Sequence, residues 1–229
     1  MRLAFVLSLL SVLSVPAAAQ VDGSIRGTVL AEDGSPVADA HVYADVMQGS
    51  KILTVLNENT DDLGIFTFSR LGLGEYRVSA DKQEAGYLST RPDIFISKPA
   101  LTIVLTPDTP IADTTIQFGP KAGVVTGWVR DSDTNRSIAA NLSLAPADGT
   151  GWSTTGTTGR FKFRLLIPAN TPVNLGACAE GYTPWFYADP SDPSRPVPLQ
   201  LRPGAELKID IKLRHSSKNR QTRCLSGKF

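Results

Sequence analysis

The sequence predicts an all-β protein: two tandem antiparallel β-sandwiches of about seven strands each. Three observations carry this. Apolar and polar residues alternate with a period of two, turn residues recur at short intervals, and the whole pattern occurs twice. Val42, Ala44 and Val46 alternate with His41, Tyr43 and Asp45; Tyr76, Val78 and Ala80 alternate with Arg77, Ser79 and Asp81. Further on, Leu142 and Leu144 alternate with Asn141 and Ser143, and Val173, Leu175 and Ala177 with Asn174 and Gly176. The cleanest run sets Leu207, Ile209, Ile211 and Leu213 against Lys208, Asp210 and Lys212. No segment sustains a 3.6-residue apolar period between helix caps. The 19 glycines and 16 prolines are spread between the apolar runs, the distribution of a chain with many turns rather than a disordered one.

Taken in chain order, residues 1–19 read as a secretory signal. Arg2 is their only charge, residues 3–15 are apolar, and Pro16-Ala17-Ala18-Ala19 supplies the small residues of a cleavage site. The apolar run is shorter than the roughly 20 residues that cross a bilayer, and no later stretch is apolar enough to do so. The expectation is a mature chain without a membrane span, cleaved after Ala19 and exported to the periplasm or beyond. The 23 Lys and Arg nearly cancel the 22 Asp and Glu, so no electrostatic field points to nucleic acid or a membrane surface as partner.

The repeat sets the domain boundaries. Gly23-Ser24-Ile25-Arg26-Gly27-Thr28-Val29 returns as Gly123-Val124-Val125-Thr126-Gly127-Trp128-Val129. Gly64-Ile65-Phe66-Thr67-Phe68 aligns with Gly159-Arg160-Phe161-Lys162-Phe163, 95 residues on. Ala85-Gly86-Tyr87 with Glu180-Gly181-Tyr182, and Ile116-Gln117-Phe118 with Ile211-Lys212-Leu213, keep the same spacing. One sandwich is expected over residues 20–119, a divergent second over 120–214, and a basic flexible tail over 215–229. The link Gly-Pro-Lys-Ala-Gly at 119–123 leaves little slack, so the modules should sit end to end with limited hinging. Phe66, Phe68, Phe161 and Phe163 are the expected core anchors, each contributing roughly 1.5–3 kcal/mol on full burial.

These islands resemble the carboxypeptidase regulatory-like domain, a transthyretin-like sandwich. Gly27-Thr28-Val29 opens the pattern, and Gly34-Ser35-Pro36-Val37-Ala38-Asp39-Ala40-His41-Val42 follows. The hairpin Thr60-Asp61-Asp62-Leu63-Gly64-Ile65-Phe66-Thr67-Phe68, the strand Gly74-Glu75-Tyr76-Arg77-Val78 and the turn Ala85-Gly86-Tyr87 complete it. The second copy lacks the Gly-x-Pro-Val element, and Asn170-Thr171-Pro172-Val173 stands where the Gly-x-Tyr turn would be. The resemblance implies an accessory, structural or adhesive module of exported proteins.

Residues with chemistry are few. The two histidines, His41 and His215, have no His-x-x-Glu partner, so a metallocarboxypeptidase zinc site is absent and no metal is expected. No Gly-x-Ser-x-Gly elbow occurs, and the terminal Ser226-Gly227-Lys228-Phe229 does not fit the transthyretin-like hydrolases. Asp131-Ser132-Asp133-Thr134-Asn135 resembles a calcium loop but lacks its glycine and terminal Glu. Asp61 and Asp62 read as turn residues. No cofactor or catalytic set is expected. A candidate ligand face remains: Trp152, Trp185, Tyr187 and Asp189, where aromatics could stack on sugar rings and a carboxylate hold hydroxyls. The alternative is that the tryptophans cap the core ends or fill the contact between the modules. Cys178 and Cys224 form a possible disulfide in an oxidising compartment. The reading is a non-catalytic envelope protein with an unassigned protein or polysaccharide partner; a carbohydrate-binding protein is the alternative. Sandwich edges can pair between chains, but nothing in the sequence patterning selects a dimer.

Overall fold

A computed structural model describes residues 22–91, 101–149, 153–157, 162–189 and 191–216, the backbone alone over 153–157. The expected signal over residues 1–19, Trp152, Phe161, Cys224 and the expected tail beyond Ser216 lie outside the described residues.

The first unit runs β1 (Gly23–Leu30), β2 (His41–Gln48), β3 (Lys51–Asn59), β4 (Ile65–Leu71), β5 (Gly74–Asp81), a 3-10 turn (Gln83–Ala85), β6 (Leu101–Leu105) and β7 (Ile111–Gln117). These strands form two sheets, ordered β4-β1-β7 and β3-β2-β5-β6. The period of two puts one side of each strand inside: Ile25, Val29, Val42, Ala44 and Ala80 are fully enclosed, with Phe66 and Phe68 buried between the sheets. The two phenylalanine rings meet edge-on with centroids 5.9 Å apart.

The second unit repeats the plan with β8 (Gly123–Asp131), β9 (Asn141–Pro146), β10 (Ser153–Thr157), β11 (Phe163–Ile167), β12 (Val173–Cys178), β13 (Trp185–Phe186), β14 (Ala188–Asp189), β15 (Asp192–Pro196) and β16 (Glu206–Leu213). Its sheets are ordered β11-β8-β16 and β10-β9-β12-β13, and β14 and β15 make a separate ribbon. A second core gathers Val125, Leu142, Leu144, Ile167, Leu175 and Ile211.

Two details depart from the antiparallel, fixed-offset expectation. First, β7 runs parallel to β1, and β16 parallel to β8, while the other strand pairs are antiparallel. The chain crosses from the four-stranded to the three-stranded sheet before its last strand, so that strand arrives in the direction of the first. Second, Phe66 lies opposite Gly27, whereas Phe163 lies opposite Gly127. Phe163 is therefore the counterpart of Phe66, not of Phe68, and Leu165 opposite Val125 takes the place of Phe68 opposite Ile25. A slip of two residues keeps every side chain on its own face, so the Phe-x-Phe pattern cannot reveal it.

The units meet at the turn that follows β5. The Ala122 N–H donates to the Gly86 carbonyl at 2.8 Å, and the Arg164 guanidinium donates to the Gln83 carbonyl at 3.1 Å. Lys121 places its amine 5.7 Å from the Tyr87 ring, which stacks on Phe118 with centroids 4.8 Å apart. Among the described residues no helix is long and apolar enough to cross a membrane.

Candidate functional site

The expected ligand face is only partly assembled. Cross-strand neighbours share a sheet face. Trp185 lies opposite Ala177, a core residue, so its indole turns inward and packs against the second core. Phe186 lies opposite Gly176 on the outer face and is 37% exposed. Tyr187 is half-buried against the core, anchored by its N–H to the Leu175 carbonyl at 2.9 Å. Asp189 caps a turn: the Ser191 hydroxyl and N–H donate to its carboxylate at 2.7 and 2.9 Å, and these bonds hold its carboxyl below the usual range. Asp192, directly opposite it across the ribbon, does the same for Ser194.

What forms instead is a mainly apolar cavity of about 310 Å³ on the outer face of the second unit. Asn174, Leu175, Phe186, Tyr187, Pro196 and Val197 line it. Its volume falls at the lower end of small-ligand pockets, and Asn174 brings its one side-chain amide. Of the candidate residues, Tyr187 alone reaches it. Phe186 falls outside the expected set; the parity of β12 against β13 is the signal that identifies it.

A second cluster was legible only in pieces. Asp131, at the end of β8, is buried, and donors surround both its oxygens. Oδ1 accepts the Thr134 N–H at 2.7 Å, the Asp133 N–H at 2.9 Å and the Thr134 hydroxyl at 3.0 Å. Oδ2 accepts the Tyr182 hydroxyl at 2.7 Å and lies 2.8 Å from His215 Nε2. The Thr134 N–H, the Tyr182 hydroxyl and the remaining donors outweigh burial and hold the Asp131 carboxyl far below the usual range. The same contact raises the Tyr182 hydroxyl. Tyr182 and His215 stack with centroids 4.5 Å apart.

Asp131, Asp133 and His215 each bring one possible ligand atom within 4.8 Å of the others. A cation there would have to displace donors from a carboxylate that already takes five contacts. The arrangement is suited to clamping the exit of β16 onto β8 and onto the Gly181-Tyr182 turn, where the Ser216 N–H donates to the Gly181 carbonyl at 2.9 Å.

In the first unit, Asp45 is buried on the outer face of its sheet, paired with the Arg91 guanidinium, which also lies 5.1 Å over the Tyr43 ring. Arg26 and Asp113 make a bridge of 3.0 Å across a broad polar hollow, but both side chains are about two-thirds exposed and the pair holds little. Cys178 ends β12 half-buried and is not a free thiol.

The fold and these sites define a tandem β-sandwich pair whose polar side chains mostly serve its own turns and strand ends. Residues 24–115, within the first unit, match the carboxypeptidase regulatory-like domain. No curated protein matches the chain.

Solved structures match at low identity. The Bacillus anthracis TIE protein is 17% identical over 85% of this chain and 34% of its own, with a TM-score of 0.35. The Streptococcal ancillary pilin is 14% identical over 88% and 64%, with a TM-score of 0.37. The minor pilin GBS52 of Streptococcus agalactiae is 12% identical over 86% and 98%, with a TM-score of 0.36. The chain thus spans about a third of the first and just under two thirds of the second. Scores in this range carry no argument about how the chain assembles or acts.

Proposed function

We propose that the chain is an exported, non-catalytic β-sandwich protein with a structural, adhesive or protein-interaction role in the cell envelope. One observation carries the reading: four of the carboxylates that could serve chemistry are committed to the fold. Asp131 clamps three chain segments, Asp189 and Asp192 cap serine turns, and Asp61 accepts the N–H groups of Leu63 and Ile65. The signal at residues 1–19 supports export, and a bridge from Cys178 to Cys224, the two cysteines of the chain, fits an oxidising compartment. The test is expression with the native leader, followed by fractionation and mass measurement. Recovery outside the cytoplasm with Gln20 as first residue supports the reading, and an uncleaved cytoplasmic chain refutes it.

The cavity beside Phe186 favours carbohydrate binding as the second reading. A glycan array and polysaccharide pull-down separate the two. Glycan binding that Phe186→Ala abolishes, in a protein that stays folded, would move the assignment to the second reading.

A further inference from the structure

We propose that β3 is a docking edge on which a second copy of this chain pairs its own β3, antiparallel about a two-fold axis. Such pairing is independent of the envelope role. In its sheet, β3 bonds to β2 on one side and has no strand on the other among the described residues. At nine residues it is the longest sheet edge described, and it contains no proline or glycine. Nearly its whole length is exposed, including Ile52 at 45%, Leu53 at 53% and Val55 at 40%. An open edge with an apolar centre is a template for strand addition.

The other long edge is guarded. β16 alternates Glu206, Lys208, Asp210 and Lys212 along its exposed face, charges that discourage pairing. β3 carries charge only near its ends, as Lys51 and Glu58. That distribution selects a second copy as the occupant. Antiparallel self-pairing with the axis at Val55 sets apolar centre on apolar centre. With Leu53 as an extra residue in each copy, it also brings Lys51 of one copy opposite Glu58 of the other, twice by symmetry. The result is one continuous sheet, ordered β6-β5-β2-β3-β3-β2-β5-β6. The register of β2 against β3 shifts between Val46 and Met47, leaving Leu53 as an extra residue. That bulge twists the edge and limits the length of the new ladder, so the dimer should be weak, with dissociation in the micromolar range.

Sedimentation velocity of the full chain from micromolar to millimolar concentration tests this. The expected result is a monomer–dimer equilibrium that Val55→Lys shifts at least tenfold toward monomer while the thermal midpoint stays unchanged. Lys51→Glu should weaken the dimer several-fold, and Lys51→Glu combined with Glu58→Lys should restore it, a rescue that only self-pairing predicts. A monomer throughout overturns the proposal, as does an oligomer indifferent to Val55→Lys or a double variant no better than the single one.

Discussion

The glycine repeated in the opening strand of each unit can be tested by giving it a methyl group. In the second unit, a Cβ on Gly127 would lie 1.7 Å from the Ile209 carbonyl oxygen, 2.7 Å from its carbonyl carbon and 3.0 Å from Phe163 Cζ. A comfortable carbon–oxygen contact is about 3.3 Å. The obstacle is the backbone of β16, paired with β8 from Glu206 to Leu213, so no side-chain rotation relieves it. The strand must withdraw by roughly 1.5 Å, which combines overpacking at the top of its about 1–3 kcal/mol range with one or two weakened ladder bonds at about 1 kcal/mol each. The expected cost of Gly127→Ala is therefore about 3–5 kcal/mol. In the first unit a Cβ on Gly27 meets Phe66 Cζ and the Thr114 carbonyl oxygen, each at 2.6 Å. A smaller withdrawal suffices there, and Gly27→Ala should cost about 1–3 kcal/mol. Gly119→Ala has nothing within 4 Å and serves as the neutral control. Urea unfolding followed by far-UV circular dichroism and tryptophan fluorescence reads the three variants. Gly127→Ala within 1 kcal/mol of the parent, or costing less than Gly27→Ala, would refute the reasoning about close approach.

Three further outcomes follow from the second unit. The Asp131 carboxyl titrates lower folded than unfolded, so its stabilisation is full above the ordinary aspartate range, about pH 3.9, and is lost as pH falls below it. Asp131→Asn should be less stable than the parent at neutral pH yet show a flatter acid limb in urea melts below about pH 4; parallel acid limbs would count against the clamp. Trp185→Ala should destabilise by about 1.5–3 kcal/mol, because its indole is half-buried against the second core. Phe186→Ala should stay near the parent, and equal losses in thermal melts would reverse the assigned parity. The proposed bridge between Cys178 and Cys224 should appear as a linked peptide in a non-reducing digest, and reduction should cost about 4 kcal/mol in the chain-entropy picture. Two free thiols in the secreted protein would dispose of it.

Where the sequence was legible, a period of two was enough. Val42 and Ala44 alternate with Tyr43 because one sheet face is dry, and the enclosed positions follow that rule through Leu142, Leu144, Leu175 and Ile211. The offset of the Phe hairpin was not legible, since a shift by two leaves the faces unchanged. Nor was the parity at Trp185-Phe186-Tyr187. That strand is two residues long, too short for an alternation of its own, and only its pairing to Gly176 and Ala177 decides which ring is wet. Asp131, Tyr182 and His215 come from three separated stretches, joined because β16 runs parallel to β8 and delivers His215 just past the residue that pairs with Asp131.

The same comparison shows what the duplication keeps and what it changes. After its last strand, each unit returns to the glycine of its own Gly-Tyr turn: the Ala122 N–H bonds to Gly86, and the Ser216 N–H bonds to Gly181. In the first unit the turn tyrosine stacks on buried Phe118, and the exiting chain leads directly into the second unit. In the second unit Tyr182 stacks on exposed His215 and hydrogen-bonds to Asp131, which occupies the position of Ala31 in the first. An apolar seal lets the first exit be covered by the neighbouring unit. In the second unit the Asp131 carboxylate, with Tyr182 and His215, holds the exit instead. The opening glycine and the enclosed strand residues persist in both units because the sandwich geometry is the same, while the residues that close the exit are free to change.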